Sequence, residues 1–376
     1  MPVAYEILRV IYAPHKAFKE IVQKPQYLGP ILIMILFIAT YSVFGFISLS
    51  KSYYDQTTPS RLDEWTENVT YWITDANTII RVSEDYFNGI FCGNKSIEFQ
   101  AVNKSQVWMR LNFTEPLNCS ASNGYPTMSF KMKWTNPKDK PSNASIYLFS
   151  NANNTFYYNL TKEISSNSAH NVWNNFTIPL KPEEWSPNLD LSNISGLMLD
   201  FRWPHNYNIT VLIDGLFFHK GFKSVMEISS TYLLQYPLFA FTQFTMQWVV
   251  LGGLLYILSK LFMGKAAWKT FLTVAGFALM ILVIESIANI GIAYAILPTI
   301  YYKAGISFNT ILENPQLQSA FQAQKVVRIV SYIWTILLCT LGIREMFKFS
   351  WIKCAFIAAL AYLLSLLVIS FLTGGI

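Results

Sequence analysis

The most frequent chemical motif in this sequence is Asn-x-Ser/Thr, the acceptor for N-linked glycans on segments outside the cytoplasm. All eleven copies lie between residues 51 and 222. They begin at Asn68, Asn94, Asn103, Asn112, Asn118, Asn143, Asn153, Asn159, Asn175, Asn193 and Asn208. Loops rich in Asn, Ser and Thr also generate such triplets by chance, but their confinement to one segment favours glycosylation. We therefore predict that residues 51–222 are glycosylated and extracellular.

Two cysteines, Cys92 and Cys119, lie in the same segment. In an oxidising compartment a disulfide between them would stabilise the fold by roughly 3–4 kcal/mol. We predict a Cys92–Cys119 disulfide, and the alternative is two free buried thiols. No metal site or cofactor is expected, because no further Cys or His lies at ligand spacing.

Two ionisable residues, Glu285 and Arg328, interrupt otherwise apolar stretches. A charge within a membrane needs an opposite charge or a polar path. We predict an intramembrane ion pair between them that fixes helix packing, and the alternative is an ion or proton pathway.

Four tryptophans of the 51–222 segment could form a platform on which sugar rings stack: Trp134, Trp173, Trp185 and Trp203. The alternative, which we favour, is that these side chains fill a hydrophobic core or cover its ends.

Motifs for catalysis are missing from the sequence: there is no nucleophile elbow, His-Glu-x-x-His, phosphate-binding Gly-x-x-x-x-Gly-Lys-Ser/Thr or Cys-x-x-Cys. The histidines at 15, 170, 205 and 219 are far apart in sequence. We predict a protein that is not an enzyme, although a His–Asp arrangement within 51–222 stays an open alternative.

Five apolar runs are long enough to cross a bilayer as helices: 28–50, about 239–262, 270–297, 326–346 and 354–373. Ten basic residues lie near the span ends on the side of the N-terminus: Arg9, Lys16, Lys19, Lys24, Lys260, Lys265, Lys269, Arg344, Lys348 and Lys353. The loop 298–325 on the other side has only Lys303 and Lys325. Because basic residues favour the cytoplasmic side, we predict a cytoplasmic N-terminus, with residues 51–222 and the C-terminus extracellular.

The net charge of +6 also follows this division, because residues 51–222 carry 14 basic and 16 acidic side chains. The basic excess therefore belongs to the apolar part of the chain. This distribution indicates membrane orientation rather than nucleic-acid binding.

Residues 1–27 form two predicted amphipathic helices, the second opening at Pro14. Their apolar faces either lie on the inner leaflet, with lysines near lipid phosphates, or pack against the cytoplasmic ends of the spans.

Short runs with alternating apolar and polar residues fill the extracellular segment, as in Ser129 to Trp134. Such runs at intervals of about ten residues predict an all-β sandwich or jelly roll. The stretches NVWNNFTIPL, EEWSPNLDLSNISGLMLDF and ITVLIDGLFFHK resemble the galactose-binding-like jelly rolls of many carbohydrate-binding modules. The resemblance implies a structural role for Asp214 in the closing strand.

The membrane segments resemble the Yip family of five-span proteins, which includes Rab-interacting proteins and their prokaryotic relatives. The matching stretches are PHKAFKEIVQKPQYLGPILI, YPLFAFTQF, LFMGKAAWKTFLTVAGFAL and WTILLCTLGIREMFKFSWIKCAFIAAL. Eukaryotic members have a long cytoplasmic N-terminal region and no large domain after the first span. The resemblance is therefore to the archaeal type, and no Rab GTPase partner is expected.

Together these observations predict an α-helical bundle of five transmembrane helices that carries an all-β ectodomain. The predicted boundaries are 1–27 for the cytoplasmic helices, 28–50 for the first span, 51–222 for the ectodomain and 223–376 for the other spans.

The predicted function is that of a non-enzymatic glycoprotein of the cell envelope, embedded in the lipid bilayer, whose jelly roll binds a protein or glycan. One alternative is a transporter, channel or accessory subunit that uses Glu285 and Arg328, and another is a membrane-anchored glycan-active enzyme. An exposed Trp/Tyr groove would favour binding, a cavity at Glu285 transport, and two facing carboxylates catalysis.

Overall fold

The structure of the protein is a computed structural model, which describes residues 3–60, 62–120, 124–150, 154–187, 191–228, 231–262 and 267–372. The predicted glycan acceptor Asn153, the basic residue Lys265 and the C-terminal residues 373–376 lie outside these ranges. The chain divides into two compact units. A membrane unit comprises Met1–Ser52, Ser224–Thr299 and Glu313–Ile376, and a sandwich unit comprises Tyr53–Lys223 and Ile300–Leu312.

The helices of the described residues are α1 Val3–Tyr12, α2 Pro14–Gln23, α3 Leu28–Ser50, α4 Glu64–Glu67, α5 Thr161–Asn167, α6 Val225–Ile228, α7 Thr231–Leu261, α8 Trp268–Ala278, α9 Met280–Ala295, α10 Phe308–Leu312, α11 Pro315–Phe347 and α12 Trp351–Leu372. The strands are β1 Ser52–Thr58, β2 Trp72–Ile73, β3 Thr78–Ser83, β4 Ser96–Leu117, β5 Thr127–Asn136, β6 Asn143–Ser150, β7 Thr155–Asn159, β8 Asn174–Pro179, β9 Ile194–Ser224 and β10 Ile300–Tyr302.

Five helical segments are long and apolar enough to span a membrane: α3, α7, α8 with α9, α11 and α12. The first matches the predicted run residue for residue. The others differ at their ends, because a helix can continue beyond the hydrocarbon into polar sequence. Thus α7 begins at Thr231, ahead of the predicted run at about 239–262, and contains Pro237. Helix α11 begins at Pro315, where the Asn314 side chain accepts hydrogen bonds from the backbone N–H groups of Gln316 and Leu317.

The N-terminal helices pack into the membrane unit. Ile7 and Val10 of α1 and Phe18 and Ile21 of α2 are buried in its hydrophobic cluster. An ion pair between Arg9 and Glu20, 2.8 Å long, joins the two helices. The amphipathic helices are therefore present, and their apolar faces pack against the spans rather than lie free for a leaflet.

The sandwich unit contains two antiparallel sheets that share the long strands β4 and β9. The first sheet has the order β7-β6-β9-β4-β2, and the second has the order β8-β5-β9-β4-β3. Strand β1 pairs with β9 and β10 pairs with β1. Side chains such as Phe130, Trp134 and Phe201 fill the space between the sheets and are fully buried. The all-β sandwich predicted from alternation is confirmed.

The sandwich unit differs from the predicted 51–222 segment at its ends and by one added stretch. Residues Ile300–Leu312, expected to be part of a loop between spans, belong to this unit and contribute β10 and α10. A strand of three residues is too short to be recognised from periodicity. At the other boundary, Lys51 belongs to the membrane unit, where its ammonium donates hydrogen bonds to the carbonyl groups of Ala293 and Leu297 at the end of α9.

Candidate functional site

An open groove of about 700 Å³ crosses the outer face of the first sheet. We call it the sheet groove. Its lining comes from all five strands of that sheet: Ile73, Gln106, Trp108, Arg110, Asn112, Tyr147, Phe149, Thr155, Met198, Asp200 and Arg202.

Strand alternation places these side chains on one face. In β4, Val107, Met109 and Leu111 point into the core, so the intervening residues Trp108 and Arg110 point into the groove. The strand register then brings partners side by side. Trp108 lies opposite Asp200 of β9, and Met198 of β9 lies between Arg110 on one side and Tyr147 on the other.

Aromatic rings line the sheet groove at Trp108, Tyr147 and Phe149, and the Tyr157 ring lies beside that of Tyr147. The rings of Tyr147 and Tyr157, paired across β6 and β7, have centroids 5.5 Å apart. The Arg110 guanidinium lies 4.2 Å from the centre of the Phe149 ring. Trp108 is partly exposed. Flat apolar faces are therefore presented to solvent from both β4 and the β6–β7 pair.

A fixed polar group lies beside these rings. Gln106 Nε2 donates a hydrogen bond of 2.7 Å to Asp200 Oδ1, and the Arg202 guanidinium donates to Asp200 Oδ2 at 3.0 Å. The Asp200 side chain is only 5% exposed, whereas that of Arg202 is 53% exposed. Because both oxygens are engaged, the carboxylate cannot rotate freely, and the remaining Arg202 N–H groups are available to a ligand.

The four tryptophans selected from the sequence do not line this groove. Trp134, Trp185 and Trp203 are buried in the sandwich core, with relative exposures of 0–3%. The indoles of Trp185 and Trp203 donate hydrogen bonds to the carbonyl groups of Pro179 and Asp139. Trp173 is partly buried. The core interpretation of the three buried indoles is therefore the correct one, since a buried ring cannot stack on a sugar. Trp108 was missed, although its place between the core residues Val107 and Met109 put it on the outer face.

A buried hydrogen-bonded chain joins Ser129, His219 and Asp55. Ser129 Oγ lies 2.7 Å from His219 Nε2, and His219 Nδ1 lies 2.6 Å from Asp55 Oδ2. Asp55 Oδ2 also accepts a hydrogen bond from the backbone N–H of Ala304. His219 therefore has side-chain partners, although the histidines are far apart in sequence. The hydrogen-bonded chain links β1, β5, β9 and Ala304, which follows β10 by two residues.

The order Ser–His–Asp is that of a nucleophile, a base and an orienting carboxylate. All three residues are buried, however, with exposures of 4–7%. Nucleophilic attack requires that a substrate carbonyl reach the serine oxygen, and in this conformation Ser129 Oγ is enclosed. The contacts observed are those of a polar cluster that ties sheet edges together.

A second buried cluster surrounds the Asp214 side chain. Its carboxyl group accepts hydrogen bonds from the backbone N–H groups of Phe87 and Gly215, each 2.6 Å long. Thr66 donates to the neighbouring Asp63 carboxylate, which also accepts from the N–H of Gly93. Burial and the adjacent Asp63 raise the pKa of Asp214 to about 8. This arrangement holds the loop before β4 against β9, which agrees with the structural role that the resemblance implied for Asp214.

Lys131 is buried near Asp214. Its ammonium donates to Asn175 Oδ1 at 2.8 Å and lies 4.2 Å from the centre of the Phe87 ring. Burial lowers its pKa to about 8. Among the described residues, no group of three or more His, Cys, Asp and Glu side chains could hold a metal ion.

The predicted disulfide is absent, because Cys92 and Cys119 are both free thiols. They occupy different surroundings. Cys92 lies near Asp63 and Asp214, whose charges together with burial raise the pKa of its thiol. Cys119 is buried in the core, where burial alone raises its pKa to about 12. Sequence spacing carried no information on the separation of the two thiols in the fold.

The ten predicted glycan acceptors that the structure describes are all exposed. Exposure is what attachment requires, and attachment itself stays a prediction. Asn112 differs from the others because it lines the sheet groove.

The structure brings the predicted intramembrane pair together. Arg328 Nε of α11 lies 3.9 Å from Glu285 Oε1 of α9. The Glu285 side chain is 15% exposed and that of Arg328 is 62% exposed. The pair therefore joins α9 to α11.

Comparisons with known proteins gave one match to a family model and several matches to solved structures. The model of the Yip1 domain family matches residues 200–372. No curated protein sequence matches the chain.

Among solved structures, the chain is similar to the family 11 carbohydrate-binding module of the cellulosomal cellulase Lic26A-Cel5E of Clostridium thermocellum. The match has 12% identity and a TM-score of 0.28, and it covers 41% of this chain and 91% of that one. A family 30 carbohydrate-binding module matches with 12% identity and a TM-score of 0.29, over 40% and 77% of the two chains. An exo-β-agarase matches with 13% identity and a TM-score of 0.30 over 41% of this chain, which spans only 24% of that enzyme's length.

Proposed function

We propose that this multi-pass membrane protein with a Yip1 domain binds a glycan in the sheet groove, on the non-cytoplasmic side. The observation that supports the proposal most strongly is the combination of the partly exposed Trp108, Tyr147 and Tyr157 rings with the fixed Asp200–Arg202 pair on one sheet face.

The chemistry of such a face suits a polyhydroxylated ring. The C–H faces of a pyranose are apolar and pack on aromatic rings, whereas its hydroxyl groups need hydrogen-bond partners at the ring edge. Trp108 and Tyr147 would supply the packing surfaces. Arg202 and Gln106 would donate to hydroxyl oxygens, and Asp200 would accept from hydroxyl hydrogens.

The shape of the sheet groove favours a chain of sugars over a single sugar. The side chains of β4 that line it run from Gln106 to Asn112, six residue steps or about 20 Å at the rise of an extended strand. A free-standing monosaccharide would contact only part of this length.

Binding without hydrolysis fits the lining better than catalysis does. Glycoside hydrolysis commonly uses two carboxyl groups, about 5–10 Å apart, on either side of the scissile bond. Among the described residues that line the sheet groove, Asp200 alone carries a carboxyl group. We therefore propose a binding protein rather than a glycan-active enzyme.

The proposed orientation rests on the basic residues near the span ends and on the exposed sequons. A cytoplasmic N-terminus would place the sandwich unit outside, where extracellular or envelope glycans occur and where its own asparagines could be glycosylated.

A glycan array tests the proposal with the full chain in mild detergent, after enzymatic removal of any N-linked glycans. We expect binding to a restricted set of oligosaccharides of three or more units, and loss of that binding in Trp108→Ala. Tyr86→Ala is the matched control, because Tyr86 is an exposed aromatic residue outside the groove lining. Equal binding by all three proteins, or binding by none, would reject the proposal.

A further inference from the structure

A second cavity lies in the membrane unit, at the hairpin between α11 and α12. It has a volume of about 470 Å³. We call it the Trp351 crevice. Its lining consists of Pro14, Trp334, Leu337, Leu338, Thr340, Leu341, Trp351, Ile352 and Ala355.

The lining of the Trp351 crevice is apolar. Its one polar side chain other than the indoles, Thr340, donates its hydroxyl hydrogen to the carbonyl group of Ile336 in the preceding turn. Leu337, Trp351 and Ile352 expose between 51% and 84% of their surface. In a membrane-spanning helical unit such exposed side chains face acyl chains, so the crevice is accessible from the lipid.

The crevice lies near one end of the spans. Helix α2 contributes Pro14 just before the first span, and the turn from Phe347 to Trp351 closes the α11–α12 hairpin at the same place. Tryptophan side chains are enriched where acyl chains meet headgroups, and Trp351, the first residue of α12, lines the crevice there.

A cationic side chain, Arg344, lies beside the crevice. The Arg344 guanidinium lies 3.9 Å from the centre of the Trp351 ring. Among the described residues, no carboxylate lies within 4.0 Å of it, whereas the neighbouring Glu345 contacts His15 at 3.1 Å and Lys348 at 3.4 Å. The Glu345 carboxylate at this hairpin thus contacts other side chains, and no described carboxylate contacts the Arg344 guanidinium.

A second basic residue extends the positive region. The Lys353 ammonium lies 3.9 Å from the centre of the Phe349 ring and donates to the carbonyl group of Phe262. It too has no carboxylate within 4.0 Å in the part of the chain that the structure describes. Arg344, which contacts the Trp351 ring of the lining, therefore places positive charge at the edge of the crevice, and Lys353 lies at the same end of the α11–α12 hairpin.

We propose that the Trp351 crevice binds an anionic phospholipid, with an acyl chain in the crevice and the phosphate group at the Arg344 guanidinium. An arginine can hold two phosphate oxygens at once, and its charge complements the anion. The apolar volume beside Arg344 fits an acyl chain. A free phosphate has no acyl chain and would leave this volume empty. This site is separate from the sheet groove and does not depend on the proposed glycan binding.

Native mass spectrometry of the full chain in detergent tests the proposal, with added phosphatidylglycerol or phosphatidylcholine of the same acyl chains. We expect the wild-type protein to retain phosphatidylglycerol preferentially. Arg344→Gln should weaken its binding about tenfold, the loss expected when a charged hydrogen-bond partner is removed. Arg344→Lys should restore part of the preference because the charge returns.

The matched control is Lys260→Gln. Lys260 is also a cation at the end of a span, 4.4 Å from the ring centre of Tyr256, but it does not line the crevice. We expect its phosphatidylglycerol binding to equal that of the wild type. A second variant, Ala355→Phe, fills the crevice without changing charge and should reduce retention of the lipid.

Several results would overturn the proposal. These are equal retention of the two lipids by the wild type, an equal loss in Lys260→Gln and Arg344→Gln, and unchanged binding in Ala355→Phe. A dimer of the chain that carries no lipid would assign the crevice to a second copy instead.

Discussion

Trp108 and Asp200 lie directly opposite each other on the antiparallel strands β4 and β9, and both side chains line the same groove. The Trp108 ring therefore lies next to the Asp200 carboxylate, which accepts hydrogen bonds from two donor side chains. The pair defines the part of the sheet groove where packing and hydrogen bonding with one ligand can occur together.

Replacing the carboxylate should affect ligand binding more than folding. Asp200→Asn keeps the shape of the side chain but removes its charge, so one oxygen no longer accepts from Arg202 or Gln106. We expect the free energy of unfolding to fall by about 1–2 kcal/mol, and the affinity for the glycan to fall by about tenfold. Thermal unfolding and calorimetric titration measure the two effects. Unchanged affinity would show that Asp200 does not contact the ligand.

Removing one sequon should increase glycan binding. A glycan on Asn112 would project from the lining of the sheet groove and would compete with a ligand for that space. We expect Asn112→Gln, expressed in a glycosylating host, to bind the ligand more tightly than the wild type. Asn94→Gln removes an exposed sequon outside the lining and should leave affinity unchanged. A weaker Asn112→Gln protein, or one with the mass of the wild type, would contradict this expectation.

The buried chain of Ser129, His219 and Asp55 should contribute to stability as a unit. Ser129→Ala and His219→Phe each remove a member, and we expect losses of about 1–3 kcal/mol for each because buried partners are left unsatisfied. The double variant should lose less than the sum, by about 0.5–3 kcal/mol. Denaturation measures the coupling. Covalent labelling of Ser129 by a fluorophosphonate would contradict the enclosed arrangement and indicate hydrolase chemistry.

The Asp214 carboxyl group should make stability depend on pH. Its pKa is about 8 in the folded protein, because burial and Asp63 disfavour ionisation, whereas in an unfolded chain an aspartate has a pKa of about 4. Between pH 4 and pH 8 the Asp214 carboxyl group is protonated in the folded state and ionised in the unfolded state. The contribution of this group to the free energy of unfolding is therefore fully present below pH 4 and is lost as pH rises towards 8. We expect the melting temperature to fall over that range in the wild type, and to fall less in Asp214→Asn. Equal pH slopes would refute the assignment.

The buried Lys131 ammonium should act in the opposite direction at higher pH. Its folded pKa of about 8 lies below that of an unfolded lysine, about 10.4, so the unfolded state binds more protons between these values. Stability should therefore recover as pH rises from 8 to 10. The Lys131→Met variant should lack this recovery, and melting curves at several pH values measure it.

Features that depend on neighbouring residues in the sequence were predicted well, and features that depend on caps or on pairing between strands were not. Helix α3 was located to the residue because its 23 residues carry no charge. The start of α11 was missed by eleven residues because its position depends on the cap at Asn314 and not on hydropathy. Alternation likewise located the strand that contains Ser129 to Trp134, but which strands flank it depends on pairing across the sheet.

Contacts between distant residues were beyond the reach of local patterns. Asp55 and His219 are 164 positions apart and meet only because β1 pairs with β9. The core positions of Trp134, Trp185 and Trp203 were favoured from residue type alone, and the facing sheet that buries them could not be read from local pattern. The same limit produced the wrong disulfide, because two cysteines in one segment need not be close in a β-sandwich.

Calorimetric titration of an array-selected oligosaccharide into the full-length protein, into Trp108→Ala and into Tyr86→Ala tests glycan binding in the sheet groove most directly. We predict saturable binding with one site for the wild type and Tyr86→Ala, and an affinity at least about tenfold lower for Trp108→Ala, since stacking on an aromatic ring and a fixed Asp200–Arg202 pair act on the same ligand. Equal affinities for all three proteins would contradict it.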